Sequence, residues 1–168
     1  MVDFSQRIKQ LQGIAKSKDY GRSDLWLGGL FYPEAYFTAT RQSAAQAHQW
    51  SIENLELQVE VLETGKSAET DDSSFIVRDI LLEGAAWTRE GLQLTNDISV
   101  PLPSVKFEWK HREKEHKEQK ENSISLPIYL NETRFEFLVA VDLRKPSNIG
   151  SSVWYQRGVA LSVWHVNM

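Results

Sequence analysis

Apolar residues recur along the chain at two different intervals, and the change from one to the other divides it. Phe4, Ile8, Leu11 and Ala15 stand at helical spacing with Gln6, Arg7, Lys9, Gln10 and Gln12 between them, which predicts a short helix with one narrow apolar stripe. Helices under roughly 12–15 residues rarely persist alone in water, so this one needs a surface to pack on. Lys16 to Asp24 reads as a polar link containing Gly21, with Ser23 or Asp24 placed to start the next ordered piece. The apolar run from Leu25 to Phe31 is broken by Gly28-Gly29 and closed by Pro33, whose fixed φ suits the first turn of a helix. Glu34 has the sign favoured at a helix start, and Ala39, Ala44, Ala45 and Ala47 leave a small surface open to close approach. The expectation is a buried loop feeding a helix that runs towards Trp50 and docks.

Beyond Trp50 the interval shortens to two. Leu55, Leu57, Val59 and Val61 alternate with Glu56, Gln58 and Glu60, as in a strand with one wet face. Glu63 to Ser74 is a polar loop, and Phe75 to Leu82 reads as one largely apolar strand covered on both faces. Gly84 marks a bend, and Arg89-Glu90-Gly91 a turn between two short strands within Trp87 to Leu94. Val105, Phe107 and Trp109 alternate with Lys106, Glu108 and Lys110. Ile124, Leu126, Ile128 and Leu130 do the same beyond a charged run, so the two segments read as hairpin partners. Pro127 cannot donate to a ladder, which puts its strand at an edge or a bulge. Phe135, Phe137, Val139, Val141 and Leu143 form the longest alternation, a Pro-Ser-Asn-Ile-Gly-Ser-Ser loop follows, and Val159, Leu161, Val163 and His165 make the last strand. Six or seven short strands with no second strong helix among them predict an α+β fold. Its parts are a helical segment over 1–50, with two helices and an apolar loop, and a mostly antiparallel barrel or sandwich over 51–168.

Composition narrows the class. With 168 residues the chain fits one core, and about 70% of the unfolded surface can be buried. Cysteine is absent, which removes disulfides and thiolate metal sites and suits a reducing compartment. The formal charge of −4 singles out no partner. There is no apolar run near 18 residues and no signal pattern at the start, so a soluble intracellular protein without a membrane partner is expected.

Several segments together carry a resemblance to a known family. Leu27-Gly28-Gly29-Leu30-Phe31-Tyr32-Pro33-Glu34-Ala35-Tyr36-Phe37-Thr38-Ala39-Thr40-Arg41-Gln42 resembles the C-terminal domain of dynein heavy chains, the cytoplasmic type more than the axonemal. The resemblance continues in Trp50-Ser51-Ile52-Glu53-Asn54-Leu55, Leu82-Glu83-Gly84-Ala85, Leu126-Pro127-Ile128-Tyr129-Leu130-Asn131 and Tyr155-Gln156-Arg157-Gly158-Val159-Ala160. Asp3 to Leu11 is similar to the helix that precedes this region, which would make Met1 an internal position of a much longer motor polypeptide. The resemblance implies a helical segment followed by a distorted, mostly antiparallel β-barrel. It further implies a non-catalytic regulatory region of a microtubule minus-end-directed, ATP-driven motor. Such a region would pack on the AAA ring of the same heavy chain and modulate processivity and force. The parent motor would be homodimeric, cytoplasmic and cytoskeletal, with accessory chains, microtubules and ATP bound elsewhere. The loop from Glu63 to Ser74 and the charged run follow no pattern of the family.

Little in the residues themselves points to chemistry. Gly65-Lys66-Ser67 imitates the end of a phosphate-binding loop, yet position 60 is Glu60 where a glycine is required. The four histidines, His48, His111, His116 and His165, lack metal-ligand spacing. Asn131-Glu132-Thr133 matches a glycosylation acceptor but reads more simply as a turn. Glu56 with Glu60, and Asp71 with Asp72, have no apolar pocket in the pattern to raise a carboxyl pKa. No Ser-His-Asp set can be assembled, so the expectation is no catalytic residue, no metal, no cofactor and no enzyme activity in this polypeptide. The run Lys110 to Glu121 alternates in sign and reads as a hydrated, mobile hairpin tip. Its acidic residues argue against nucleic acid.

The aromatics ask a sharper question. Trp87 and Trp109 are expected in the core or at a barrel mouth, whereas Trp154, Tyr155 and Trp164 could be core or contact residues. Trp26, Phe31, Tyr32, Tyr36 and Phe37 are candidates either for core packing or for docking onto a neighbouring domain. Two functions follow, a regulatory subdomain of a motor or a free-standing β-barrel module that binds a protein or peptide.

Overall fold

The computed structural model describes residues 2–16, 22, 24–112, 122–131 and 133–163. Helix α1 spans Val2–Lys16. Leu11 and Ile14 pack against the core, while Ile8 stays at the surface; the side chains of Phe4 and Ala15 lie outside the described ones. The docked face is therefore Arg7, Gln10, Leu11 and Ile14, and its polar half grips main chain. Arg7 donates to the Gly28 carbonyl from Nε at 3.1 Å and Nη2 at 2.7 Å. Gln10 accepts from the Trp26 N–H and donates to the Trp26 carbonyl, both at 2.8 Å. A Cβ at Gly29 would stand 2.7 Å from Gln10 Nε2 and 2.9 Å from the Trp26 ring, so the clamp needs glycine there for space.

Strand β1, Leu25–Trp26, lies parallel to β3, Ser74–Arg78, and a buried single turn over Leu27–Gly29 leads on. Helix α2, Pro33–His48, starts with proline in its first turn and ends on Gln49 in the left-handed region at φ 56°. With β2 at Leu55–Val61 and β8 at Val105–His111, it closes over a sheet of order β1-β3-β8-β2. Phe37 meets Phe75 and Phe107 edge-on, with centroids 5.1 and 5.5 Å away, and those two rings stack on each other at 5.3 Å. Thr40 Oγ1 accepts the Trp109 indole N–H at 3.0 Å, so the single polar atom of that buried ring is satisfied.

The second sheet is built from β4 at Ile80–Glu83, β7 at Ser99–Pro101, β9 at Ser123–Tyr129, β10 at Phe137–Arg144 and β11 at Ala160–Val163. Their order across it is β10-β9-β11-β4-β7. A small hairpin of β5, Ala86–Thr88, and β6, Gly91–Gln93, turns at Arg89-Glu90 as the sequence predicts. Gly91 sits at φ 111° against the Arg144 carbonyl, a place too tight for any larger residue. Side chains of both sheets meet in one core, where Val59, Val61, Val105 and Phe107 face Ile80, Ile128, Val141, Leu143 and Leu161 around a void of only about 10 Å³.

Several expectations change. The apolar stretch from Phe75 to Leu82 is two strands, because Asp79 takes φ 61° and hands the backbone from the first sheet to the second. Asp tolerates that left-handed geometry with less strain than most side chains. The segments around Phe107 and Leu126 are not hairpin partners. β8 pairs with β2 and β3 on its two sides, leaving β9 to pair with β10 and β11. Pro127 lies inside the sheet, just before the short parallel ladder that β11 makes with Ile128 and Tyr129, and the bulge falls instead between Phe137 and Val139 of β10. A third helix, α3 at Ser151–Gln156, is too short to show a period in sequence; it buries Trp154 completely. The fold is α+β with eleven strands among the described residues rather than six or seven, and two of the eight strand pairings are parallel. No ladder closes the sheets into a barrel among the described residues, since β2 and β10 each end a sheet and run near one another unpaired. The charged tip at 113–121, Gly21, Ser23, Glu132, Trp164 and His165 lie outside the described residues.

Candidate docking surface

The five aromatic candidates separate by depth. Trp26 is 2% exposed, with its main chain held by Gln10 and the Arg78 guanidinium over its ring at 5.8 Å. Phe37 is buried in the ring cluster described above. Tyr36 is half-buried, edge-on to Phe75 at 5.2 Å, and burial pushes its phenol up to about 12 against the opposing pull of Arg22. Phe31 and Tyr32 alone stand out, 60% and 71% exposed. They occupy the two positions between the buried Leu30 and Pro33, so the backbone beneath them is fixed at both ends. The Arg7 guanidinium rests over the Phe31 ring at 5.8 Å, which ties the pair to α1 as well.

A second exposed set is drawn from two loops, the start of β10 and α3, and of its members the sequence offers only Tyr155 as a contact candidate. Ile98 and Phe135 are 88% and 86% exposed, and Phe137 and Tyr155 are also largely open. The loops are joined by arginines: Arg134 pairs with Glu83 at 2.9 Å and donates to the Gly158 carbonyl, while Arg157 donates to the carbonyls of Gly84 and Thr95. For the other members the one available signal was an arginine on either side of these aromatics, and arginine is common enough to carry no weight alone.

The candidates for chemistry occupy ordinary structural places. Gly65-Lys66-Ser67 is a turn in which Lys66 pairs with Glu63 at 2.6 Å and holds that carboxyl below its usual range. His48 Nε2 lies 2.8 Å from the buried Ser73 hydroxyl, but Asp71 turns to the Ser73 N–H and the Ser74 hydroxyl instead of the imidazole, whose ring stacks on Trp50 at 4.1 Å. Among the described residues no group of His, Asp or Glu is gathered as a metal site, and no helix is long and apolar enough to cross a membrane.

Helices that enter mixed sheets through a buried Gly-Gly turn, with aromatic side chains raised at the junction, place this protein among small α+β domains. Its family is narrower than that class. The protein belongs to the family defined by the C-terminal domain of the dynein heavy chain, whose model matches residues 1–163. It is 43% identical over 162 residues to the cytoplasmic dynein heavy chain of Dictyostelium discoideum, covering 96% of this chain and 3% of that protein. It is 38% identical over 167 residues to the cytoplasmic dynein heavy chain of Drosophila melanogaster, covering 96% and 4%, and 34% identical over 165 residues to that of Paramecium tetraurelia, covering 97% and 4%. These 168 residues thus span about 3–4% of the length of the curated relatives they match.

Proposed function

We propose that this chain is the regulatory C-terminal region of a cytoplasmic dynein heavy chain, and that it packs on the AAA ring of the same polypeptide through Phe31 and Tyr32. The parent is a microtubule minus-end-directed, ATP-driven motor of the cytoskeleton, homodimeric, with accessory chains and the track bound elsewhere. In this reading residues 1–50 seat the module, and the β part over 51–168, barrel-like in outline, stiffens it. The observation that carries the proposal is the exposure of two adjacent aromatics on a backbone fixed by Leu30 below and Pro33 behind. An aromatic already held in place loses little entropy on docking, and full burial of such a side chain yields roughly 1.5–3 kcal/mol.

Regulation follows from unequal contact. A surface that fits one ring conformation better than another shifts their populations by the difference in contact energy and no more, and about 1.4 kcal/mol is tenfold. The test is single-molecule motility of the full motor carrying Phe31→Ala and Tyr32→Ala together. Shortened runs and a changed stall force, with the isolated module melting normally, are the expected result. Run length and stall force equal to those of the unaltered motor would remove the proposal.

A further inference from the structure

The outer side of β1 is closed by side chains of α1. Trp26 lies beside Arg78 of β3 on one side. On the other, Gln10 occupies both its N–H and its carbonyl, and Arg7 takes the Gly28 carbonyl with two donors. Covering an edge strand with a helix is one way to keep its main-chain groups from other partners. Arg7 also lies over the Phe31 ring at 5.8 Å. One helix therefore holds the turn over Leu27–Gly29 from its start at Trp26 to the aromatic raised beyond it.

The helix that does this is itself lightly held. Among the described side chains of α1, the apolar ones that reach the core are Leu11 and Ile14, both only partly buried. Its 15 residues are close to the length at which a helix is marginal without support. Gly13 weakens it further. Nothing stands within 4 Å of the place a Cβ would occupy there, so no close approach asks for glycine. A glycine inside a helix lowers the helical population up to about fivefold relative to alanine. Elements with few buried apolar contacts open first and by themselves.

We propose that α1 is a detachable latch on the docking turn: seated, it holds residues 26–31 and keeps Phe31 ready to dock; lifted, it leaves the turn loose and the aromatic unprepared. The inference rests on the reading of Phe31 and Tyr32 as a docking pair given above. Leu30 and Pro33 keep the direction of the chain in both states, and α1 adds the hold on the turn before them and on the Phe31 ring. Arg7 and Gln10 are then positioning residues that act without touching the AAA ring. Coupling between two binding events is reciprocal. Docking of the aromatics tightens α1, and whatever draws α1 away weakens docking by the same factor.

Gly13→Ala is the decisive variant, because its added methyl meets nothing in the turn and can act there only by seating α1. In the 168-residue protein, amide exchange at Trp26 and Leu30 is expected to slow up to about fivefold with Gly13→Ala. With Gln10→Ala it is expected to quicken about tenfold, while the amides of β8 keep their rates in both variants. In the full motor the same two substitutions are expected to move run length in opposite directions. Three outcomes overturn the latch: unchanged exchange at Trp26 and Leu30 in Gly13→Ala, β8 amides that quicken in step with the turn in Gln10→Ala, or run lengths that ignore both variants while Phe31→Ala with Tyr32→Ala shortens them. The exchange measurement needs no AAA ring, so its failure removes the latch alone, whereas a motor indifferent to the double aromatic substitution removes docking itself.

Discussion

Tyr36 shows how one position serves both core and surface. Its ring fills the edge of the Phe75 cluster, while its hydroxyl is sheltered enough for the phenol to titrate at about 12 instead of about 10. Below pH 10 the phenol is neutral in folded and unfolded states alike, and its stabilisation is fully present. Between 10 and 12 only the unfolded state gives up the proton, so stability falls as pH rises through that window. Replacing Tyr36 by Phe is expected to flatten this stretch of the alkaline stability curve, as read by urea midpoints at pH 9, 10 and 11. A slope equal to that of the unaltered protein would assign the alkaline loss to other groups.

At the level of elements, α1 is held by an unusual grip, side chain to main chain, at Trp26 and Gly28. Gln10→Ala would leave both the N–H and the carbonyl of Trp26 without these partners, a loss of roughly 1–3 kcal/mol for a partly buried pair. Amide exchange in α1 is expected to quicken about tenfold or more while exchange in β8 stays unchanged. Uniform protection across α1 would show that Leu11 and Ile14 suffice. This grip also explains what the sequence concealed. A helix that docks through Arg7 and Gln10 hides half of its buried face from any search for apolar spacing, so Ile8 looked inward when it is not. α2, by contrast, was legible throughout, because Pro33, Glu34 and the alanines are local signals that need no knowledge of the rest of the protein. The period-two runs likewise marked β2, β8, β9 and β10. Their partners were hidden, since alternation says which side of a strand is buried and nothing about who lies beside it. The exposure of Phe31 and Tyr32 was equally out of reach: the same apolar letters fill buried Leu27 and open Phe31, and only the turn decides between them.

For the whole molecule the defining fact is a single core shared by α2 and both sheets. Units that share a core lose their packing together, and a two-state transition is expected. Thermal unfolding followed by tryptophan near-ultraviolet signal and by far-ultraviolet signal is expected to give coincident midpoints. Separation of the two curves would show that the sheets melt apart.

Asp79 gives this unity a mechanical side. One left-handed residue separates a strand that lies under α2 from β4, a strand paired on both sides within the other sheet. A tug on the helical end therefore reaches the far half of the molecule with no slack tether to absorb it. A body wired in this way transmits strain in the manner of a rod, and under tension it gives way all at once instead of peeling strand by strand.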